Sequence, residues 1–174
     1  MGREIRRVPP NWQHPKSEDR ADRDQPMYDR HYDDAKAEWI AGLMKWEAGE
    51  DPTRLKYPND DGTLMDYWEW YGNPPERAYY RPWRDHEATW YQLWQTVSEG
   101  TPVSPPFATQ EELIAHLAAH GDGGWGASGP GGWGEERARR FVMGDGWAPS
   151  MVLSGNRLMT GVEFVTEHPS EPTN

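Results

Sequence analysis

The sequence contains no cysteine, which excludes disulfide bonds, thiol nucleophiles and cysteine metal ligands. Long apolar runs are absent too, since no stretch approaches the roughly 20 apolar residues of a membrane-spanning helix. The first residues lead into no apolar segment of the kind found in signal peptides. We therefore expect neither a signal peptide nor a membrane span, and the lack of cysteine fits a reducing cytoplasm.

Basic residues are scarce relative to acidic ones, 18 against 29, which gives a formal net charge of −11. General nucleic-acid binding needs a basic surface that neutralises phosphates, so we expect no direct nucleic-acid binding. An acidic surface suits solubility, a basic protein partner, or mimicry of a nucleic-acid backbone. A merely soluble surface is the simplest of these interpretations.

Motifs that would identify a reaction are also missing. The sequence holds no G-x-S-x-G elbow, no phosphate loop and no dinucleotide fingerprint, so we assign no catalytic residue and no cofactor. Glu112, His116 and His120 recur at i, i+4 and i+8 along one side of a predicted helix, and zinc accepts such ligands. No glutamate follows His116 as in a zinc protease, so we favour a solvated helix flank and assign no metal.

Aromatic residues are abundant. The chain has eleven Trp and eight Tyr, and ten of the residues from 67 to 94 are aromatic. Two interpretations stay open: a core in which arginines stack on aromatic rings, which we favour, or a binding surface. The candidate binding residues come from this block and from a glycine-rich segment that follows it: Trp68, Trp70, Tyr79, Tyr80, Trp83, Arg77, Arg81, Trp125 and Trp133.

The residue patterns predict an α+β fold in one small domain, 1–174, with three or four helices packed on a small antiparallel sheet or hairpin. Apolar spacing and capping signals predict helices within 29–49, 90–97, 109–119 and 135–143. Residues 150–165 resemble a hairpin turning at 154–156, and 67–83 read as irregular or strand-like. The remaining segments are an extended arm and charged loop (1–25), a loop with a turn at 59–62, a glycine-rich flexible loop (121–134) and a polar tail (166–174).

Several unusual stretches together resemble a family of small uncharacterised proteins encoded by tailed phages and prophages. They span nearly the whole chain and read GREIRRVP with WQHP (2–15), WEW with NPP (68–75), SEGTPVSP (98–105) and GWAPSM (146–151). The glycine-rich segment is longer than the pattern of that family. The resemblance implies a phage or prophage origin, and it implies no activity.

We therefore expect a phage-encoded, non-enzymatic, acidic protein that acts in the host cytoplasm by binding another protein, for example as an inhibitor of a host defence or regulatory factor. The partner would be a host or phage protein. One alternative is a minor virion or assembly component of a tailed phage, located in the virion. The other is a small metal-dependent enzyme built on Glu112, His116 and His120, with His86 or His14 brought near by folding. The oligomeric state stays open.

Overall fold

The computed structural model describes residues 1–53, 62–97, 99–123 and 131–168. The fold is α+β, as predicted, and in chain order its elements are β1 (Arg3–Val8), β2 (Tyr28–His31), α1 (Tyr32–Glu47), α2 (Tyr67–Tyr71), β3 (Tyr80–Arg81), β4 (Trp90–Gln95), β5 (Thr101–Pro102), α3 (Gln110–His120), α4 (Glu135–Met143), β6 (Trp147–Ala148), β7 (Met151–Ser154), β8 (Arg157–Thr160) and α5 (Gly161–Glu167). Two short 3₁₀ helices, Arg77–Tyr79 and Asp85–Glu87, flank β3. The chain divides into a larger unit, Met1–Met27 with Trp83–Asn174, and a smaller unit, Tyr28–Pro82.

The larger unit is organised by an antiparallel sheet with the strand order β5-β4-β1-β6. The N-terminal segment is extended, as predicted, and it forms an interior strand of this sheet between β4 and β6. Opposite partners include Ile5 with Leu93 and Val8 with Trp90. Because successive side chains of a strand point to opposite faces, these two pairs lie on different sides of the sheet.

Both faces of this sheet are covered. Leu93 belongs to a cluster that includes residues of α3, α4 and α5, and Ile5 packs against it. Trp94 belongs to a second cluster with Val8 and Trp83. The sheet therefore has two cores, one on each side of β1 and β4.

The predicted helix at 90–97 is wrong, because residues 90–95 form β4. The spacing of Trp90, Leu93 and Trp94 mimics one apolar helix stripe, but in β4 the two indoles lie on one sheet face and Leu93 on the other. A strand buried on both faces carries apolar residues without strict alternation, and this removes the signal that separates strand from helix. Val97, which the helical stripe would have buried, is exposed.

Three helices pack on one side of the sheet, and two were predicted closely. In α3, the Glu112 amide donates to the Thr109 hydroxyl (3.2 Å) and the Thr109 amide donates to Glu112 (3.1 Å), which is the predicted capping box. The inward residues of α3 and α4 are those expected from their spacing: Leu113, Ile114, Leu117, Ala138, Phe141 and Val142.

The hairpin is confirmed for β7 and β8, with Gly155 (φ 59°) in the turn. The predicted second strand ends at Thr160 rather than at Val165, because 161–167 form α5. A second capping box causes this: the Glu163 amide donates to the Thr160 hydroxyl (3.2 Å), and the Thr160 amide donates to Glu163 (2.9 Å).

The smaller unit consists of α1, α2 and a parallel pair of short strands, β2 and β3. The predicted first helix is confirmed as α1, whose N-terminus is capped by the His31 ring accepting from the Asp33 amide (3.1 Å). Residues 67–71, expected to be irregular or strand-like, form the short helix α2. The Asp66 amide donates to Glu69 (2.8 Å) at its start, and Gly72 (φ 86°) ends it.

Some predictions fall on residues outside the described ranges. They are residues 59–61 of the predicted turn, the central part of the glycine-rich loop with Trp125, and the polar tail after His168. The charged loop around 16–25 is largely exposed, and Lys16 and Asp24 bridge its two sides (2.8 Å).

Candidate functional site

The side chains of α2 divide between a packed face and an exposed face. Tyr67 is buried and lies edge-on to Trp39 and Trp46 of α1, with ring centroids 5.2 and 6.0 Å away. The two helices approach so closely that a Cβ at Gly42 would lie 2.0 Å from the Tyr67 hydroxyl oxygen. The absence of a side chain at Gly42 therefore lets α2 dock on α1.

Hydrogen bonds fix α2 further. Trp39 donates its indole N–H to the Gly72 carbonyl (3.0 Å), and Trp46 donates to the Met65 carbonyl (3.2 Å). Tyr71 donates its hydroxyl to Asp51 (3.0 Å). The pKa of Asp51 is lowered, chiefly by the Thr53 amide (2.8 Å) and also by this hydroxyl. Burial raises the pKa of Tyr67, so this tyrosine stays neutral near pH 7.

Trp68 and Trp70 lie outside the packed face of α2. Trp68 is 51% exposed, and Trp70 and Tyr71 are also exposed. We call these three residues the α2 surface. Two further apolar side chains of the same unit, Ile40 and Met44, are one turn apart on α1 and exposed. The smaller unit thus presents large apolar side chains on a backbone held by buried tyrosine and tryptophan rings.

A second aromatic group in this unit gathers three of the predicted binding residues. Tyr80 lies against Tyr28 (5.0 Å) and Tyr32 (6.4 Å), and the Arg77 guanidinium lies 4.3 Å over the Tyr32 ring. Arg81 pairs with Asp29, its Nε lying 3.4 Å from Oδ1. Arg77 stacks on a ring, whereas Arg81 pairs with a carboxylate. Tyr79 is half-buried in the neighbouring 3₁₀ helix.

Two predicted binding residues lie in the cores of the larger unit. Trp83 is 4% exposed and meets Trp12 edge-on at 4.5 Å. Trp133 is 6% exposed and packs edge-on against Phe141 at 5.3 Å. Neither indole belongs to an exposed surface. The glycine-rich sequence around Trp133 does not distinguish an exposed indole from a buried one.

The described residues contain no group of three or more His, Asp or Glu side chains placed to hold a metal ion. The rings of His116 and His120 lie 4.9 Å apart, but the Glu112 carboxylate is engaged in capping α3. Burial, and secondarily His120, lowers the pKa of His116. The metal candidate seen in the sequence therefore does not assemble.

An open cavity of about 410 Å³ lies where α4 begins, between Trp133 and Thr166. One of its two arginines is engaged: Arg140 pairs with Glu136 (2.5 Å) and donates to the Thr166 carbonyl (3.0 Å). The cavity holds charges of both signs and offers no convergent set of groups for one small ligand.

Comparison of the chain with protein-family models, curated proteins and solved structures finds no match. None of the helices in the described part of the chain has both the length and the apolar character that a bilayer crossing requires. The resemblance to phage-encoded proteins stays a prediction.

Proposed function

We propose that this chain is a phage- or prophage-encoded, non-enzymatic protein that acts by binding a basic region of another protein through the α2 surface. The observation that carries the proposal is the exposure of Trp68 and Trp70 on a helix whose opposite face is fixed to α1. Exposed tryptophans on a rigid backbone are efficient binding residues, because they bury a large area and lose little conformational freedom.

The charge of the chain supports a basic partner. With a formal net charge of −11, the protein attracts basic proteins over a distance of about one Debye length, or ~8 Å at physiological salt. The apolar side chains would then supply most of the affinity at contact, and the charge would raise the association rate and select the partner.

The test is affinity capture of host and phage proteins by the purified chain at low and high salt, with three variants in parallel. Trp68→Ala and Trp70→Ala remove the exposed indoles of α2. Trp147→Ala is the matched control, because Trp147 is also 51% exposed but lies on β6 of the larger unit.

We expect a stoichiometric partner that is retained at low salt and weakened at high salt. Each α2 variant should lose roughly 30-fold in affinity, equivalent to about 2 kcal/mol, while Trp147→Ala keeps wild-type binding. The proposal fails if no stoichiometric protein is retained at low salt. It also fails if the partner binds all three variants as tightly as the wild type.

A further inference from the structure

The hairpin of β7 and β8 has one apolar face that nothing in the described residues covers. Val152 and Met159 point toward the larger unit, and α5 lies on that side. Met151, Leu153 and Leu158 point the other way and are exposed, Leu153 by 70% and Leu158 by 64%. Leu153 and Leu158 are direct cross-strand partners, so their side chains form one contiguous apolar patch.

The turn fixes which main-chain groups face outward. Ser154 pairs with Arg157 across the two-residue loop Gly155-Asn156, and the positive φ at Gly155 alone matches a type II′ turn. Ser154 and Arg157 therefore form a hydrogen-bonded pair. Opposite residues of an antiparallel pair alternate between hydrogen-bonded and non-hydrogen-bonded pairs, so the next pair, Leu153 and Leu158, is not hydrogen-bonded. The N–H and C=O groups of Leu153 therefore point away from β8.

The same alternation leaves the main-chain groups of Met151 and Leu153 on the outer edge of β7. In the described residues, β7 pairs with β8 alone, and neither residue makes another backbone hydrogen bond. The outer edge of β8 differs, because the Thr160 amide already donates to Glu163 (2.9 Å). Leu158 keeps its outward groups, so β8 is only partly closed, and β7 is the more open of the two edges.

Proteins usually protect such an edge with a lysine, a proline or a bulge. Residues 151–154, Met-Val-Leu-Ser, contain no charge and no proline, and their pairing with β8 is regular. An unprotected edge with alternating apolar side chains is what strand addition requires. Main-chain hydrogen bonds then provide affinity, and alternate side-chain contacts provide specificity.

We propose that the outer edge of β7 binds an extended, apolar peptide segment with basic flanks from another protein, which adds as a third strand to the hairpin. A stable dimer buries about 800 Å² per partner, and three exposed side chains are too few to supply that area. One added peptide strand needs only the contacts that these three side chains offer. A net charge of −11 on each copy opposes self-association and favours basic flanks. This site is separate from the α2 surface and does not depend on it.

The test uses a blocked nine-residue peptide of alternating valine and threonine with two lysines at each end, titrated into the full chain and followed by NMR. We expect slowed amide exchange at Met151 and Leu153, and binding weakened about tenfold or more when the alternate peptide nitrogens are methylated. Replacing the lysines of the peptide by glutamates should also weaken binding. Because these controls change only the peptide, they leave the protein fold untouched.

Two variants and one control test the protein side. Leu153→Pro removes an outward N–H, a change that edge strands tolerate, together with the exposed leucine side chain, and should abolish peptide binding. Leu153→Thr keeps that N–H and removes apolar area, so binding should weaken several-fold with the fold retained. Trp68→Ala should bind the peptide like the wild type, which separates this site from the α2 surface.

Three results would overturn the inference. One is the absence of peptide binding to the wild type. Another is binding that is insensitive to N-methylation of the peptide. The third is concentration-dependent dimerisation in sedimentation experiments that Leu153→Pro abolishes, because the occupant would then be a second copy of the chain.

Discussion

Replacing Trp94 by alanine tests whether the sheet has a core on each face. Trp94 is fully buried on the face opposite the helices. Its indole N–H donates to Gln92 (3.1 Å), the Arg6 guanidinium lies 4.4 Å over its ring, and the His14 ring meets it edge-on at 4.9 Å. The alanine variant would lose all three contacts and leave a cavity beneath β1.

The expected cost of Trp94→Ala is about 3–5 kcal/mol of unfolding free energy. For a chain of this length, that lowers the melting temperature by roughly 6–20 °C. Trp94→Phe refills most of the cavity but removes the donor to Gln92, so it should cost about 1–3 kcal/mol. The control is Trp68→Ala, which should cost little because that indole is exposed.

The assay is urea unfolding of the three variants, followed by circular dichroism and by the m-value. A loss below 1 kcal/mol for Trp94→Ala would refute the two-core description. An equal loss for Trp68→Ala would show that the exposed indole also supports the fold.

Two further predictions concern a close backbone contact and a half-buried histidine. A Cβ at Gly161 would lie 1.7 Å from the Pro149 carbonyl oxygen. Gly161→Ala should therefore lower the free energy of unfolding, measured with urea, by at least about 1–3 kcal/mol. A decrease under about 0.5 kcal/mol would contradict this prediction. Burial lowers the pKa of His14, so the unfolded chain takes up a proton at higher pH than the folded chain. Stability should fall as the pH drops below about 6.5 and level off below the folded pKa. The loss between pH 7.5 and pH 5.5 should be smaller in His14→Gln, and an equal loss in both proteins would refute the assignment.

Local signals in the sequence predicted much of the fold. The capping box at Thr109 and Glu112 placed α3, and the apolar spacing within 135–143 placed α4 and its buried side chains. The same type of signal, Thr160 followed by Glu163, was present before α5, but the apolar residues around it favoured a strand. Such errors arise where two local preferences compete and tertiary packing decides between them.

The aromatic block shows what a single sequence cannot resolve. Trp68 and Trp94 lie in the same block, yet one is exposed on α2 and the other is fully buried in the sheet. Trp94 lies in a strand that pairs with β1, whereas Trp68 has no such neighbour in the described residues. The strand β1 lies more than 80 residues earlier in the chain than β4. Neither periodicity nor composition carries that information. The sequence could therefore nominate the aromatic residues but could not sort them into core and surface.

The interior position of β1 also affects how the protein is made. Residues 3–8 leave the ribosome long before their neighbours in the sheet, β4 at 90–95 and β6 at 147–148. At roughly 5–20 residues per second, the wait for β6 is on the order of ten seconds. During that interval Ile5 and Val8 have no sheet to enter, and both edges of the nascent strand are open to incorrect pairing. Chaperones that shield extended apolar segments would therefore act on this protein at its N-terminal strand, before the sheet that surrounds it has been synthesised.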